Sequence, residues 1–120
     1  MNVEELLARY AAGERDFSGI GKLTGDACLD GVDLRDSCLQ DACFSHADLR
    51  NANLRRASLG RVSFDEANLQ GANLKQVELA SDATWYCANL SGAFIDETTV
   101  FCWDKTTLPN GQIKTTLSNT

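Results

Sequence analysis

Residues 47–76 have the sequence ADLRN-ANLRR-ASLGR-VSFDE-ANLQG-ANLKQ, which is six copies of one five-residue pattern. The pattern continues without interruption over residues 27–81, as eleven consecutive pentads. In every pentad a small residue (Ala, Val or Ser) stands two positions before a large apolar residue, and the other positions are mostly polar or Gly. The large residues are Leu29, Leu34, Leu39, Phe44, Leu49, Leu54, Leu59, Phe64, Leu69, Leu74 and Leu79.

A five-residue period matches neither an α-helix nor a flat strand. A helix would distribute the large residues around its axis, because five residues advance it by about 500°. A flat strand would direct successive leucines to opposite faces of a sheet. The pattern therefore requires a backbone that turns once in every pentad, always in the same sense. The large and the small residue then face a common axis, and the other three face solvent.

The A-[DN]-L-x-x unit, as in Ala52-Asn53-Leu54 and Ala67-Asn68-Leu69, resembles the repeats of pentapeptide-repeat proteins. The resemblance covers residues 27–81 strictly and residues 15–100 loosely. It implies an all-β solenoid, a right-handed quadrilateral β-helix with four pentads per coil and about four to five coils. Cyanobacterial proteins of this family are abundant, and the opening of this chain, a helix followed by repeats, looks like theirs.

Residues 20 apart give an independent indication of the coil length. Phe44 and Phe64, the two aromatic residues of the apolar column, have this separation. If residues 20 apart stack at the spacing of paired strands, about 4.8 Å, the two rings are in contact. Pairs of opposite charge have the same separation, and each is worth about 0.2–1 kcal/mol. They are Asp30 with Arg50, Asp36 with Arg56, and Asp41 with Arg61.

The chain begins with the pattern of a capping helix, which a β-helix needs because its ends expose apolar residues and unpaired backbone. Asn2 followed by Glu5 is a capping-box pattern, and Gly13 is a stop signal. We therefore expect an N-terminal cap at residues 2–13, with the helix itself over 3–12. Its apolar stripe consists of Val3, Leu6, Leu7 and Tyr10.

The register slips before and after the strict repeat. The successive centres Phe17, Leu23 and Leu29 are six residues apart, which predicts bulges. After Leu79 the pattern places Thr84 at the next central position, and then resumes at Leu90, Ile95 and Val100. We expect residues 101–120 to form a C-terminal cap and a loose tail, with a turn at Pro109 and Asn110-Gly111.

Two sets of residues are candidates for an interaction surface. The first is an aromatic C-terminal end, which serves either as a cap over the last coil or as a surface for a partner or a homodimer. It consists of Trp85, Tyr86, Phe94, Phe101 and Trp103. The second is a column of cations 20 apart, formed by Arg35, Arg55 and Lys75. This column is either a basic stripe for an acidic partner or solubilising charge neutralised by neighbours such as Asp33 and Asp36.

The sequence lacks the motifs of catalysis and of metal or cofactor binding. His46, the only histidine, faces outward in the repeat frame in column with Glu66 and Tyr86, and Cys43 is near it in sequence. Cys28, Cys38 and Cys43 take outward positions in three pentads that lie on different faces, whereas a zinc site needs ligands that converge. We therefore predict no enzyme, no catalytic residue, no cofactor and no metal.

Composition excludes further classes of function. The net charge is −6 and the isoelectric point about 4.6, which argues against direct nucleic-acid binding. No apolar run approaches the roughly 18 residues of a membrane span, and MNVEELLARY lacks the basic start of a signal peptide. The five cysteines form no disulfide framework. We therefore expect a single domain over residues 1–120 in the cytoplasm, with no contact to membranes.

Two functions remain from these observations. The first is a non-enzymatic, rigid scaffold that binds an unidentified protein partner. The alternative comes from the family resemblance, since some pentapeptide-repeat proteins imitate duplex DNA and modulate type II topoisomerases. A DNA mimic needs long negative columns, whereas residues 27–81 contain eight acids and six bases. The scaffold is therefore the favoured prediction.

Overall fold

The backbone returns over itself every 20 residues in the computed structural model, which describes residues 1–21, 28–96, 106–111 and 113–114. Parallel β-bridges join Asp33 to Asn53, Asn53 to Asn73, and Asp48 to Asn68. Backbone hydrogen bonds reinforce each bridge; Asn53 N, for example, donates to Val32 O at 2.8 Å and Leu54 N to Asn73 O at 2.9 Å. The coil of four pentads predicted from the charge and aromatic pairs is confirmed.

A tight turn closes each pentad. In the turn from Leu49 to Ala52, the Ala52 N–H donates to Leu49 O at 3.1 Å, and Asn51 has a φ of 59°. Positive φ at the third residue but not at the second is the geometry of a type II turn. Ten non-glycine residues of the described chain have positive φ, eight of them at this position of a regular pentad. The five-residue period therefore arises from one such turn per pentad.

Large apolar and small side chains fill the axis of the coil, as the sequence predicts. Leu49, Leu54 and Leu59 are fully buried, and so are the small residues Ala52 and Ala57. Phe44 stacks on Phe64 with ring centroids 5.9 Å apart, which confirms the predicted aromatic contact. Hydrophobic burial along the axis and the backbone ladder around it thus act on the same pentads.

The N-terminal helix α1, Val3–Ala11, lies within the predicted range. The Asn2 side chain accepts a hydrogen bond from Glu5 N at 2.9 Å, and Leu6 is buried in the same apolar core as the coil. The Tyr10 hydroxyl donates to Arg35 O at 3.0 Å and to Asp33 Oδ1 at 3.3 Å. Burial and the neighbouring Asp33 carboxylate raise the pKa of Tyr10. The helix is therefore attached to the coil by both apolar and polar contacts.

The slip after Leu79 differs from the predicted one. Leu79 was expected in the core but is 47% exposed with a φ of 60°, and its place is taken by Ala80. A short 3-10 helix, Ala80–Asp82, absorbs the extra residue before Ala83. Trp85, rather than Thr84, then occupies the central position: it is 1% exposed and stacks on Phe64 at 4.5 Å. The smaller Ala80 leaves room for the indole, whose Nε1 donates to Ala80 O at 3.0 Å.

The degenerate repeats at both ends of the coil have the predicted changes of register where the structure describes them. Phe17 is buried, and the bridge from Asp16 to Cys38 spans 22 residues, so extra residues lie in this coil. Leu90 is buried and Ile95 packs partly against the core, as expected. The predicted centres Leu23 and Val100 lie outside the described residues.

The C-terminal segment contains a hairpin where a loose tail was predicted. Strand β1, Thr106–Thr107, pairs antiparallel with strand β2, Ile113–Lys114. The predicted turn lies between them, with Gly111 N donating to Leu108 O at 2.8 Å. Thr107 also bridges to Asn89, so β1 adds a rung to the ladder. The expectation of a loose tail was wrong for residues 113–114, because the turn returns the chain to a strand that the coil already holds.

Candidate interaction surface

The predicted aromatic end is not one surface in the described part of the chain. Trp85 belongs to the core, so its assignment to an interaction surface was wrong. Tyr86 and Phe94 are 41% and 56% exposed but lie on different faces. Tyr86 N donates to Asp65 Oδ1 at 3.1 Å, whereas Phe94 is bridged to Asn73. Phe101 and Trp103 lie outside the described residues.

Arg35, at the start of the predicted basic column, is neutralised by a neighbour. Its Nε and Nη2 atoms donate to the two Asp33 carboxylate oxygens, both at 2.9 Å. This hydrogen bonding lowers the pKa of Asp33 below its ordinary value. Asp36, the other expected neighbour, is bound by Arg56 instead, with Nε to Oδ1 at 2.6 Å. The prediction that neighbouring acids neutralise the column is thus confirmed for Arg35, and the acid is Asp33 rather than Asp36.

Arg55 and Lys75 continue the column with a different environment. Both side chains are exposed, and the Arg55 Nε donates to the neutral Gln76 Oε1 at 3.0 Å. Within residues 1–21, 28–96, 106–111 and 113–114, no carboxylate forms an ion pair with either cation. The middle of the column therefore carries two positive charges that no carboxylate of the described residues pairs with.

Asparagines occupy the neighbouring column on the same face. Asn53 Oδ1 accepts from Arg55 N at 3.2 Å, and Asn73 Oδ1 accepts from Lys75 N at 3.0 Å. The asparagines beside the buried residues thus satisfy backbone N–H groups of their own pentads. These hydrogen bonds also orient the side-chain amides. Each amide oxygen accepts a backbone hydrogen bond, so the NH₂ group is the part of the amide that remains for a partner.

Phe94 extends the asparagine column by one rung. Its N–H donates to Ala72 O at 2.8 Å, and its carbonyl accepts from Leu74 N at 2.8 Å. Phe94 was assigned to the aromatic end because the aromatic residues cluster late in the sequence, although the predicted resumption of the period at Leu90 and Ile95 already puts it in line with Asn73. A shift of one residue places Phe94 above Asn73, on the face of the basic column. We call the outward surface of Asn53, Arg55, Asn73, Lys75 and Phe94 the basic face.

Ion pairs dominate the neighbouring corners of the coil. Arg61 binds Asp41 through two hydrogen bonds of 2.6 and 2.9 Å, and Arg56 binds Asp36 in the same way. These hydrogen bonds lower the pKa values of Asp36 and Asp41. All three predicted pairs are therefore confirmed as ion pairs, and two of them are close hydrogen-bonded contacts. Arg50 differs, since it lies 3.8 Å from Asp30 but 2.8 Å from Asp48.

The residues considered for catalysis or metal binding are dispersed over the surface. His46 Nδ1 lies 3.0 Å from Glu66 Oε2, and both side chains are exposed. The prediction that Tyr86 lies in column with His46 and Glu66 was wrong. The extra residue shifts Tyr86 to the position above Asp65, and Cys87 lies above Glu66. Cys43 Sγ contacts Ser45 Oγ at 3.6 Å. In the described chain, no three His, Cys, Asp or Glu side chains converge as metal ligands. No helix there is long and apolar enough to span a bilayer.

Comparison with known proteins identifies the repeat. The family model for pentapeptide repeats matches residues 27–55 and 42–79, with eight copies. A pentapeptide repeat protein from the Arabidopsis thaliana thylakoid lumen is 26% identical, with a TM-score of 0.67 over 81% of this chain and 64% of its own. One from the cyanobacterium Cyanothece 51142 is 26% identical, with a TM-score of 0.59 over 72% of this chain and 63% of its own.

A third similar structure, a pentapeptide repeat protein from Nostoc PCC 7120, is 37% identical over 83% of this chain and 84% of its own, with a TM-score of 0.46. No curated protein sequence matches the chain significantly. The chain spans slightly less than two thirds of the length of the Arabidopsis and Cyanothece proteins. Those two likenesses agree with the coil seen in the bridges.

Proposed function

Because the chain belongs to the pentapeptide-repeat family, we propose that it is a non-catalytic module that binds a protein partner through an outward face of its coil. The observation that carries this proposal is the pair of uncompensated cations, Arg55 and Lys75, on one regular face. The other arginines of residues 28–78, which are Arg35, Arg50, Arg56 and Arg61, are all paired with acids. A face that leaves charge unpaired is suited to a partner of opposite charge.

The rigidity of the coil supports a role in presentation. Each outward side chain projects from a backbone that hydrogen-bonds to the coils before and after it, as at Asn53 and Leu54. Such a surface is preorganised and loses little entropy on binding. Catalysis has less support, because apolar side chains fill the axis and the polar groups nearest to chemistry, His46 and Cys43, engage surface neighbours.

The alternatives from the sequence receive less support from these contacts. Arginines interrupt the acidic columns at Asp36 and Asp41, whereas imitation of DNA would need uninterrupted negative charge. A homodimer through the aromatic end is less favoured, because Trp85 is buried and cannot contact a second copy. We also propose, from the family, that the coil is right-handed, and from the burial of Leu6 that α1 caps it. A cytoplasmic location remains a prediction.

Capture from the native host with face-specific variants tests the module. One charge reversal is made on each of the four faces: Arg50→Glu, Lys75→Glu, Arg61→Glu and Glu66→Lys. Each variant is first shown to keep the wild-type melting temperature within a few degrees. We expect a protein that wild type retains after cross-linking and that one variant alone loses. Capture that is indifferent to all four reversals, or no protein enriched over empty resin, contradicts the proposal.

A further inference from the structure

We propose that the basic face binds an acidic peptide segment that carries an apolar side chain at the end lying over Phe94; this inference rests on the proposed function and specifies its partner. The four polar residues that define this face present donors to a partner. Arg55 and Lys75 contribute charged N–H groups, and Asn53 and Asn73 contribute amide NH₂ groups because their carbonyl oxygens are engaged by backbone. A surface of donors matches the carboxylates and carbonyl oxygens of an acidic peptide.

The acids that border this face are already engaged. Asp33 is bound by Arg35 and Asp36 by Arg56, so their charges are compensated. Asp96, above Lys75 in the same column, accepts a hydrogen bond from Gln76 N at 3.0 Å, which does not compensate its charge, so the column ends in a carboxylate beside Phe94. The positive charge is therefore confined to Arg55 and Lys75, on consecutive coils about 4.8 Å apart. This short, bordered patch fits two or three carboxylates better than a continuous phosphate backbone.

Phe94 supplies an apolar contact at one end of the patch. Its side chain is 56% exposed at a position where the two preceding coils have Asn73 and Asn53. Aromatic side chains are enriched among the residues that dominate binding energy, particularly beside groups that exclude water. The order of charge and then aromatic ring along the axis also defines the direction of the bound segment, with its apolar residue toward the C-terminal coil.

Fluorescence anisotropy with a labelled peptide of six glutamates followed by one tryptophan tests this inference. We expect wild type to bind it more tightly than the same peptide with serines in place of the glutamates. The Arg55→Glu/Lys75→Glu variant should weaken binding by about tenfold or more, and Phe94→Ala by about three- to tenfold. Arg50→Glu/Arg61→Glu changes the net charge equally on other faces and should leave binding within about twofold.

Other outcomes overturn the inference. These are equal binding of the glutamate and serine peptides, equal weakening by both double variants, or tighter binding of labelled oligothymidylate than of the glutamate peptide. A photo-crosslinker in place of the tryptophan must label the fragment that contains Phe94. If a host protein is captured equally by wild type and by Arg55→Glu/Lys75→Glu, the basic face is the wrong site, while the proposed module still stands.

Discussion

The regular coils of residues 28–78 and the coil that follows them use the same alternation of small and large residues, but they close differently. In the regular coils, bridged residues are 20 apart, as in Asn53 and Asn73. In the next coil the separation is 21, as in Asn73 and Phe94. One inserted residue converts Leu79 from a core position to an exposed one and brings Trp85 into the stack. The ladder of backbone hydrogen bonds therefore tolerates an inserted residue where a turn can absorb it.

The insertion also changes which residues share a face. Without it, Phe94 would not continue the column of Asn73, and Tyr86 would lie with His46 and Glu66. The surface of the last coil is therefore set by one local event in the 3-10 helix Ala80–Asp82.

Leu54 and Leu79 occupy equivalent places in the sequence pattern but not in the structure. Leu54→Lys buries a charge on the axis, so we expect a loss of about 5 kcal/mol or more and no cooperative unfolding transition. Leu79→Lys places the same charge in solvent and should cost less than about 1 kcal/mol. Chemical denaturation followed by circular dichroism measures both. A Leu54→Lys protein that melts like wild type would refute the inward assignment.

Trp85 and Phe94 are both aromatic residues of the interrupted coil, and only Trp85 supports the core. Trp85→Ala removes the stack on Phe64 and the indole hydrogen bond, and we expect a loss of about 3–5 kcal/mol. Phe94→Ala should change the free energy of unfolding by less than about 0.5 kcal/mol, because the side chain is largely exposed. The denaturant concentrations at the unfolding midpoints of the two variants measure this difference. Comparable losses would mean that Phe94 packs against the coil.

Ser37 marks an imperfection within the regular coils. Its side chain is 1% exposed, and its hydroxyl has no hydrogen-bond partner among the described residues, although most equivalent positions carry Ala. Ser37→Ala removes a buried unsatisfied group, and we expect a gain of about 1–2 kcal/mol. Ser58→Ala is the matched control, since the Ser58 hydroxyl accepts a hydrogen bond from Gln40 and gives no such gain. A lower melting temperature for Ser37→Ala would contradict this account.

The ion pairs of the regular coils predict a small pH dependence. Arg56 and Arg61 lower the pKa values of Asp36 and Asp41 in the folded state. Their contribution to stability is therefore present above the ordinary carboxyl pKa, about 3.9, and is lost as the pH falls through the lower folded values. At pH 7 wild type should melt at a higher temperature than Asp36→Asn/Asp41→Asn. Near pH 2 the two melting temperatures should be nearly the same. A constant difference between the two proteins would exclude these pairs as the cause.

Much of the fold follows from local pattern, and much of the candidate surface does not. The contact of Phe44 with Phe64 and the pairing of Asp36 with Arg56 were predictable, because a constant period converts separation in sequence directly into neighbours in space. The partner of Arg50 was not predictable to the same degree. It has two acids within reach, Asp30 in the preceding coil and Asp48 in its own pentad, and side-chain geometry selects Asp48.

The coil follows directly from the amino-acid sequence. A small and a large apolar residue in every pentad can be buried together only if the chain turns at each pentad and returns after 20 residues. The position at which the inserted residue is absorbed depends on packing in the folded chain. An indole, Ala80 and Leu79 compete for one space on the axis, and the five-residue period does not decide between them. This packing brings Trp85 into the stack on Phe64 and so removes it from the candidate surface.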